Sequence, residues 1–210
     1  MRGVLFLAVV GLGGAVGCER APVAPSVLSQ PAVLSVLAEA PVSGAIVDVT
    51  AGSTGTTNHP GQSVTIPAGT YGNLHFNWYT RDGAPVAFGT LYMLSQEYLG
   101  VPGGLKAAPG LIGASTQVAN GEYVFPEVLT ISGGSRYWFY GDAMGNYSTS
   151  FDIDTYPSGD SYNTGYFANP FSKTHASGRY TSFNPPVFVP APAGLYVDAN
   201  FRLRGSLIEK

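Results

Sequence analysis

Apolar residues in this chain alternate with polar ones, and turn residues interrupt them every few positions. In Leu74-His75-Phe76-Asn77-Trp78-Tyr79, the residues Leu74, Phe76 and Trp78 alternate with His75, Asn77 and Tyr79. Strand side chains point to opposite faces in turn, so this pattern builds a sheet with one apolar and one polar face. Arg136-Tyr137-Trp138-Phe139-Tyr140 follows the turn Ser132-Gly133-Gly134-Ser135 and places Trp138 and Tyr140 opposite Tyr137 and Phe139. Beyond Gly44 no apolar run has the spacing and length of an amphipathic helix. Together these features restrict the domain to an all-β body.

The remaining strands are read in order. Ala45 to Thr50 is the first, and residues 52–61 form a polar loop. Gln62 to Ile66 is a short strand, followed by the Pro67-Ala68-Gly69 turn. Arg81-Asp82-Gly83-Ala84-Pro85 is a second turn, because Asp-Gly tolerates positive φ and Pro fixes φ. Val86 to Leu94 is one strand, residues 97–110 are a loop, and Leu111 to Val118 is another strand. Asn120-Gly121 marks a two-residue hairpin. Val128 to Ile131, Asn146 to Ile153 and Leu195 to Leu203 complete the set, with an aromatic, loop-rich stretch over residues 156–186. Short strands between regular turns predict an antiparallel two-sheet β-sandwich, jelly-roll-like, of about eight to ten strands. The first and last strands are expected to lie side by side.

Composition excludes several classes. Charged residues are 11% of the 210, aromatics 12%, and the formal net charge is −3. With only 10 Lys+Arg, thinly spread, the chain lacks the cationic footing that nucleic acid requires. Cys18 is the one cysteine, so no internal disulfide and no thiolate metal cluster is available.

The amino terminus is a targeting segment. Met1-Arg2 is a short positive start, and the apolar run to Val16 is too short to span a bilayer. Ala15-Val16-Gly17-Cys18 resembles the bacterial lipobox, in which the cysteine is lipid-modified and becomes the first mature residue. The resemblance implies a signal peptide over residues 1–17, a lipidated Cys18, and export to the cell envelope with a membrane anchor. Ala21-Pro22-Val23-Ala24-Pro25 and Gln30-Pro31 disfavour regular structure, so residues 18–43 are expected to tether a domain over 44–210.

A second resemblance rests on Pro67-Ala68-Gly69, Leu91-Tyr92-Met93-Leu94, Gly100-Val101-Pro102-Gly103-Gly104-Leu105, Gly121-Glu122-Tyr123-Val124-Phe125 and Gly134-Ser135-Arg136-Tyr137-Trp138-Phe139-Tyr140. Over roughly residues 62–142 the chain resembles extracellular bacterial β-sandwich domains of the choice-of-anchor type. This implies a surface domain and carries no catalytic residues.

Little in the sequence points to catalysis. His59, His75 and His175 are isolated, and no hydrolase Gly-x-Ser-x-Gly elbow, Walker loop or mature-domain dinucleotide fingerprint occurs. A non-catalytic role is therefore expected. Two binding chemistries are suggested. Asp152, Asp154 and Asp160 are oxygen ligands of the kind calcium takes, although the EF-hand spacing is missing and such acids also cap turns. Trp138, Tyr140, Tyr162, Tyr166 and Tyr180 are aromatics that could stack on sugar rings, with Trp78 assigned to the core beside Leu74 and Phe76. The expectation is an exported lipoprotein presenting a carbohydrate-binding face, the alternative being a structural or protein-interaction role in the envelope.

Overall fold

The computed structural model describes residues 44–49, 54–149, 155–175, 179–183, 186–189 and 196–209. Their strands, in chain order, are β1 (Ala45–Val49), β2 (Thr54–Thr65), β3 (Thr70–Tyr79), β4 (Pro85–Val86), β5 (Leu91–Leu94), β6 (Leu111–Ala114), β7 (Gln117–Ala119) and β8 (Glu122–Val124). There follow β9 (Ile131–Ser132), β10 (Arg136–Gly141), β11 (Gly145–Thr149), β12 (Ser161–Thr164), β13 (Ser172–Lys173), β14 (Arg179–Phe183), β15 (Pro186–Val189) and β16 (Phe201–Glu209). One 3-10 turn, Pro102–Ala107, interrupts the β5–β6 connection. Two antiparallel sheets result, ordered β1-β16-β3-β8-β7 and β13-β12-β2-β10-β5-β6, with β14 and β15 forming a separate ribbon. The architecture is the expected all-β, two-sheet sandwich.

β3 is the spine of the first sheet. It pairs with β16 through Phe201↔Trp78 and Leu203↔Phe76, and β4, β8 and β9 also pair with it in turn. β1 pairs with β16, so the first and last strands are neighbours. The alternation of β3 is realised in full. Leu74, Phe76 and Trp78 are buried, while His75 lies on the other face, where its Nδ1 is 3.2 Å from Glu122 Oε2 and Arg204 pairs with the same carboxylate through Oε1.

β2 is the spine of the second sheet, and here the expectation of a polar loop over residues 52–61 is corrected. The strand covers Thr54–Thr65, and His59, Gln62 and Ser63 are buried. It is embedded because β10 and then β11 pair along it, while β12 also pairs with it, through Ser161↔Gln62 to Thr164↔His59. Pro60 has no N–H for a ladder, and the break between β10 and β11 falls opposite His59 and Pro60. Its polar side chains find partners: Gln62 Nε2 donates to Asp198 Oδ1 at 3.0 Å, and its Oε1 accepts from Ala199 N at 3.0 Å.

The strand count exceeds the expected number because β12 to β15 lie in or next to the stretch over residues 156–186 expected to be loop-rich, and because two anticipated strands divide between the sheets. The segment read as Val86 to Leu94 becomes β4 in the first sheet and β5 in the second. The segment read as Leu111 to Val118 divides likewise into β6 and β7. The Asn120-Gly121 hairpin joins β7 to β8 with φ of 52° and 74°, both positive as a type I′ turn demands.

Between the sheets, Phe76 is the hub. Its ring lies 4.6 Å from Trp78, 5.6 Å from Phe201, and 4.9 Å from Phe139 on the facing sheet. Val64, Ile66, Leu91, Met93 and Tyr147 complete the second sheet's side of this core. Phe76→Ala empties a ring-sized volume at the junction of both sheets and is expected to cost about 3–5 kcal/mol. Equilibrium denaturant unfolding measures it, and a loss under about 1 kcal/mol would show that Phe76 is not the hub.

Candidate functional site

The outer face of the second sheet is covered over β5, β10 and β12. Along β10, Tyr137 and Phe139 face the core between the sheets, while Trp138 and Tyr140 face outward. The connection after β5 folds back over that outward face. Its backbone is held by Tyr98 N donating to Tyr140 Oη at 3.2 Å and by Phe171 N donating to Gly100 O at 3.0 Å. Leu105 from the 3-10 turn, Tyr92, Leu94, Tyr140, Tyr162 and Phe171 form a second apolar cluster. β5 is therefore buried on both faces.

This covering corrects the sugar-stacking assignment of two aromatics. Tyr140 is 0% exposed, packed 4.8 Å from Phe171 and 5.5 Å from Tyr162, so neither face of its ring is open to a ligand. Tyr162 is 1% exposed. Trp138 is half-buried, and its Nε1 donates to Tyr162 Oη at 3.3 Å. Tyr166 is 71% exposed, on the loop after β12. Tyr180 lies on β14, and its side chain is outside the described residues, as are Cys18, Asp152 and Asp154. Asp160 is found before β12 with cations around it: Lys173 Nζ at 2.9 Å and Arg136 Nη1 at 3.9 Å. No group of three or more His, Cys, Asp or Glu that could hold a metal occurs among the described residues.

At the margin of the covered face lies an open groove of about 480 Å³, lined by Glu97, Leu99, Phe171, Ser172, Lys173, His175 and Tyr196. Three chain segments build it. Glu97 comes from the connection after β5, and it accepts the Tyr162 hydroxyl proton at 2.6 Å. Lys173 comes from β13, which pairs with β12 through Tyr162↔Lys173. Tyr196 is brought in by its bridge to His175 and by Val197 N donating to Thr174 O at 3.0 Å. The Tyr196 ring lies 4.6 Å from the His175 ring, and Lys173 Nζ sits 5.3 Å from its centroid. The groove thus combines an aromatic wall, apolar Leu99 and Phe171, a carboxylate, an ammonium and an imidazole. Trp138, Tyr162 and Glu97 form a hydrogen-bonded chain that links the groove to the apolar cluster.

Burial sets the acidity of the tyrosines here. It pushes the Tyr140 hydroxyl well above its usual range, and does the same to Tyr162, where the hydrogen bond to Glu97 adds to the effect. Tyr123, in the core between the sheets, is raised by burial as well.

Of the groove residues, Asp160's neighbour Lys173, together with Glu97 and Tyr196, had no signature in the sequence. They are far apart in the chain and none belongs to a spaced motif. The chain matches no protein-family model, no curated protein and no solved structure.

A pH dependence follows from the tyrosines. The fold favours the neutral phenol, so the folded pKa lies above the unfolded value of about 10. Their contribution is complete below about pH 10 and is lost as pH rises from there toward the folded values. Phenolate absorbance is expected to show these three tyrosines ionising only together with unfolding. Ionisation of these three near pH 10 without unfolding would contradict the burial.

Proposed function

We propose that this protein is an exported, non-catalytic binding protein, anchored through lipidated Cys18, whose groove at Glu97, Lys173, His175 and Tyr196 takes a carbohydrate. The observation that carries the reading is the groove's mixture of an aromatic wall with charged and imidazole groups in one open cleft. Sugars offer apolar ring faces and hydroxyls that both donate and accept, and ligand sites pair apolar walls with a few placed polar groups in the same way.

A second observation favours the alternative of a protein-interaction role in the envelope. Leu99 at 54% and Phe167 at 56% exposure lie with Val101 around the 3-10 turn, and Leu99 also lines the groove. Apolar residues clustered in this way mark contact surfaces more often than isolated ones do.

The test is a glycan-array screen of the full-length protein in detergent, run with calcium and again with chelator. A saturable ligand is expected, weakened about tenfold or more by Tyr196→Ala and by Lys173→Ala, equivalent to roughly 1.4 kcal/mol or more. Loss on chelation would bring calcium, and with it Asp152, Asp154 and Asp160, into the site. Silence under both conditions from folded protein would move the weight to the protein-interaction role.

A further inference from the structure

A separate cavity of about 380 Å³ lies between the β3–β4 turn and the start of β16, lined by Tyr79, Thr80, Arg81, Asp82, Gly83, Asn200 and Arg202. Its frame is rigid. The turn is closed by Thr80 N donating to Ala84 O at 2.9 Å and Gly83 N donating to Thr80 O at 3.0 Å, with Gly83 at φ 77°. Tyr79 N donates to Asn200 O at 3.0 Å, which ties the turn's base to the residue preceding β16. Arg202 is clamped: Nε and Nη2 both reach Asp48 Oδ2, at 2.8 and 2.7 Å, and its guanidinium carbon sits 5.5 Å from the Tyr79 ring centroid. A guanidinium held this way loses little rotamer freedom on binding, and its Nη1 is not engaged by Asp48.

Two charged groups in the lining are free of ion pairs. No ion pair joins Arg81 or Asp82 to another charged group among the described residues, although they are adjacent on the turn. Asn200, 3% exposed, closes the cavity's inner wall. Charge narrows the ligand. Arg202 is offset by Asp48, which leaves Arg81 and Asp82 as one cation and one anion side by side. The site attracts neither a simple anion nor a simple cation, and suits a molecule carrying both charges. The sequence showed only a turn here, because Arg81-Asp82-Gly83 reads as turn chemistry and Asn200 arrives from the other end of the chain.

We infer that this cavity binds a small zwitterion of the α-amino-acid type, its carboxylate received by Arg81 and Arg202 and its ammonium by Asp82. The inference is independent of the carbohydrate groove, with which this cavity shares no lining residue.

The test is calorimetric titration of the full-length protein in detergent with the common L-amino acids, each singly. For the tightest binder, the N-acetylated form, which lacks the ammonium, and the amide, which lacks the carboxylate, are titrated next. Saturable one-to-one binding is expected, weakened at least tenfold in both blocked forms and in Arg81→Gln and Asp82→Asn. Both residues sit on an exposed turn, and near-ultraviolet circular dichroism checks that the fold is intact. Absence of binding to every amino acid, blocked forms that bind as well as the parent, or binding unchanged in either variant would overturn the inference. Glucose serves as the control for a neutral polyol, and competition by glucose would likewise overturn it.

Discussion

Burial of the centre of the second sheet, at β5 and β10, on both faces is the constraint on which the rest of this structure depends. A two-sheet sandwich ordinarily buries one face of each sheet and leaves the other in water. Here β10 sends Phe139 inward against Phe76 and Tyr140 outward under the connection after β5. The strand is consequently aromatic on both sides, and its polar atoms are satisfied within the covering layer. Tyr140 Oη accepts from Tyr98 N, and Tyr162 Oη both accepts from Trp138 and donates to Glu97. The groove exists at the point where this covering layer ends.

A buried polar network holds the opposite side of that groove. Asp198 is buried, accepting from Gln62 Nε2 and from Tyr156 N at 2.7 Å, while Gln62 Oε1 receives Ala199 N. Buried polar groups are costly unless paired, and here pairing fixes the segment preceding β16 against β2. Tyr196 lies two residues upstream of Asp198, so the same network sets the position of the groove's aromatic wall. Asn200 lies two residues downstream and lines the second cavity. One polar anchor therefore serves both candidate sites.

The fold was far more legible than the sites. Alternation in β3 assigned Leu74, Phe76 and Trp78 to the core correctly, and Asn120-Gly121 marked its hairpin, because both are local consequences of backbone geometry. β2 was misread because Asn58, His59, Pro60 and Gly61 are turn formers by composition, and only pairing with β10, β11 and β12 makes them strand. Trp138 and Tyr140 were correctly placed on a face opposite Tyr137 and Phe139. What alternation could not reveal was that a long connection would cover that face.

By itself the sequence determined the all-β class, the inward face of β3 and the positions of several turns. Each depends on residues within a few positions of one another, where side-chain alternation and φ preferences act directly. Tertiary structure alone decided that Tyr140 and Tyr162 are core, that Glu97, Lys173 and Tyr196 share a groove, and that Arg81, Asp82 and Asn200 share a cavity. Those outcomes depend on which distant segments meet, and that is set by hydrogen-bond pairing between strands and by the burial of aromatic surface, neither of which leaves a periodic mark in the chain.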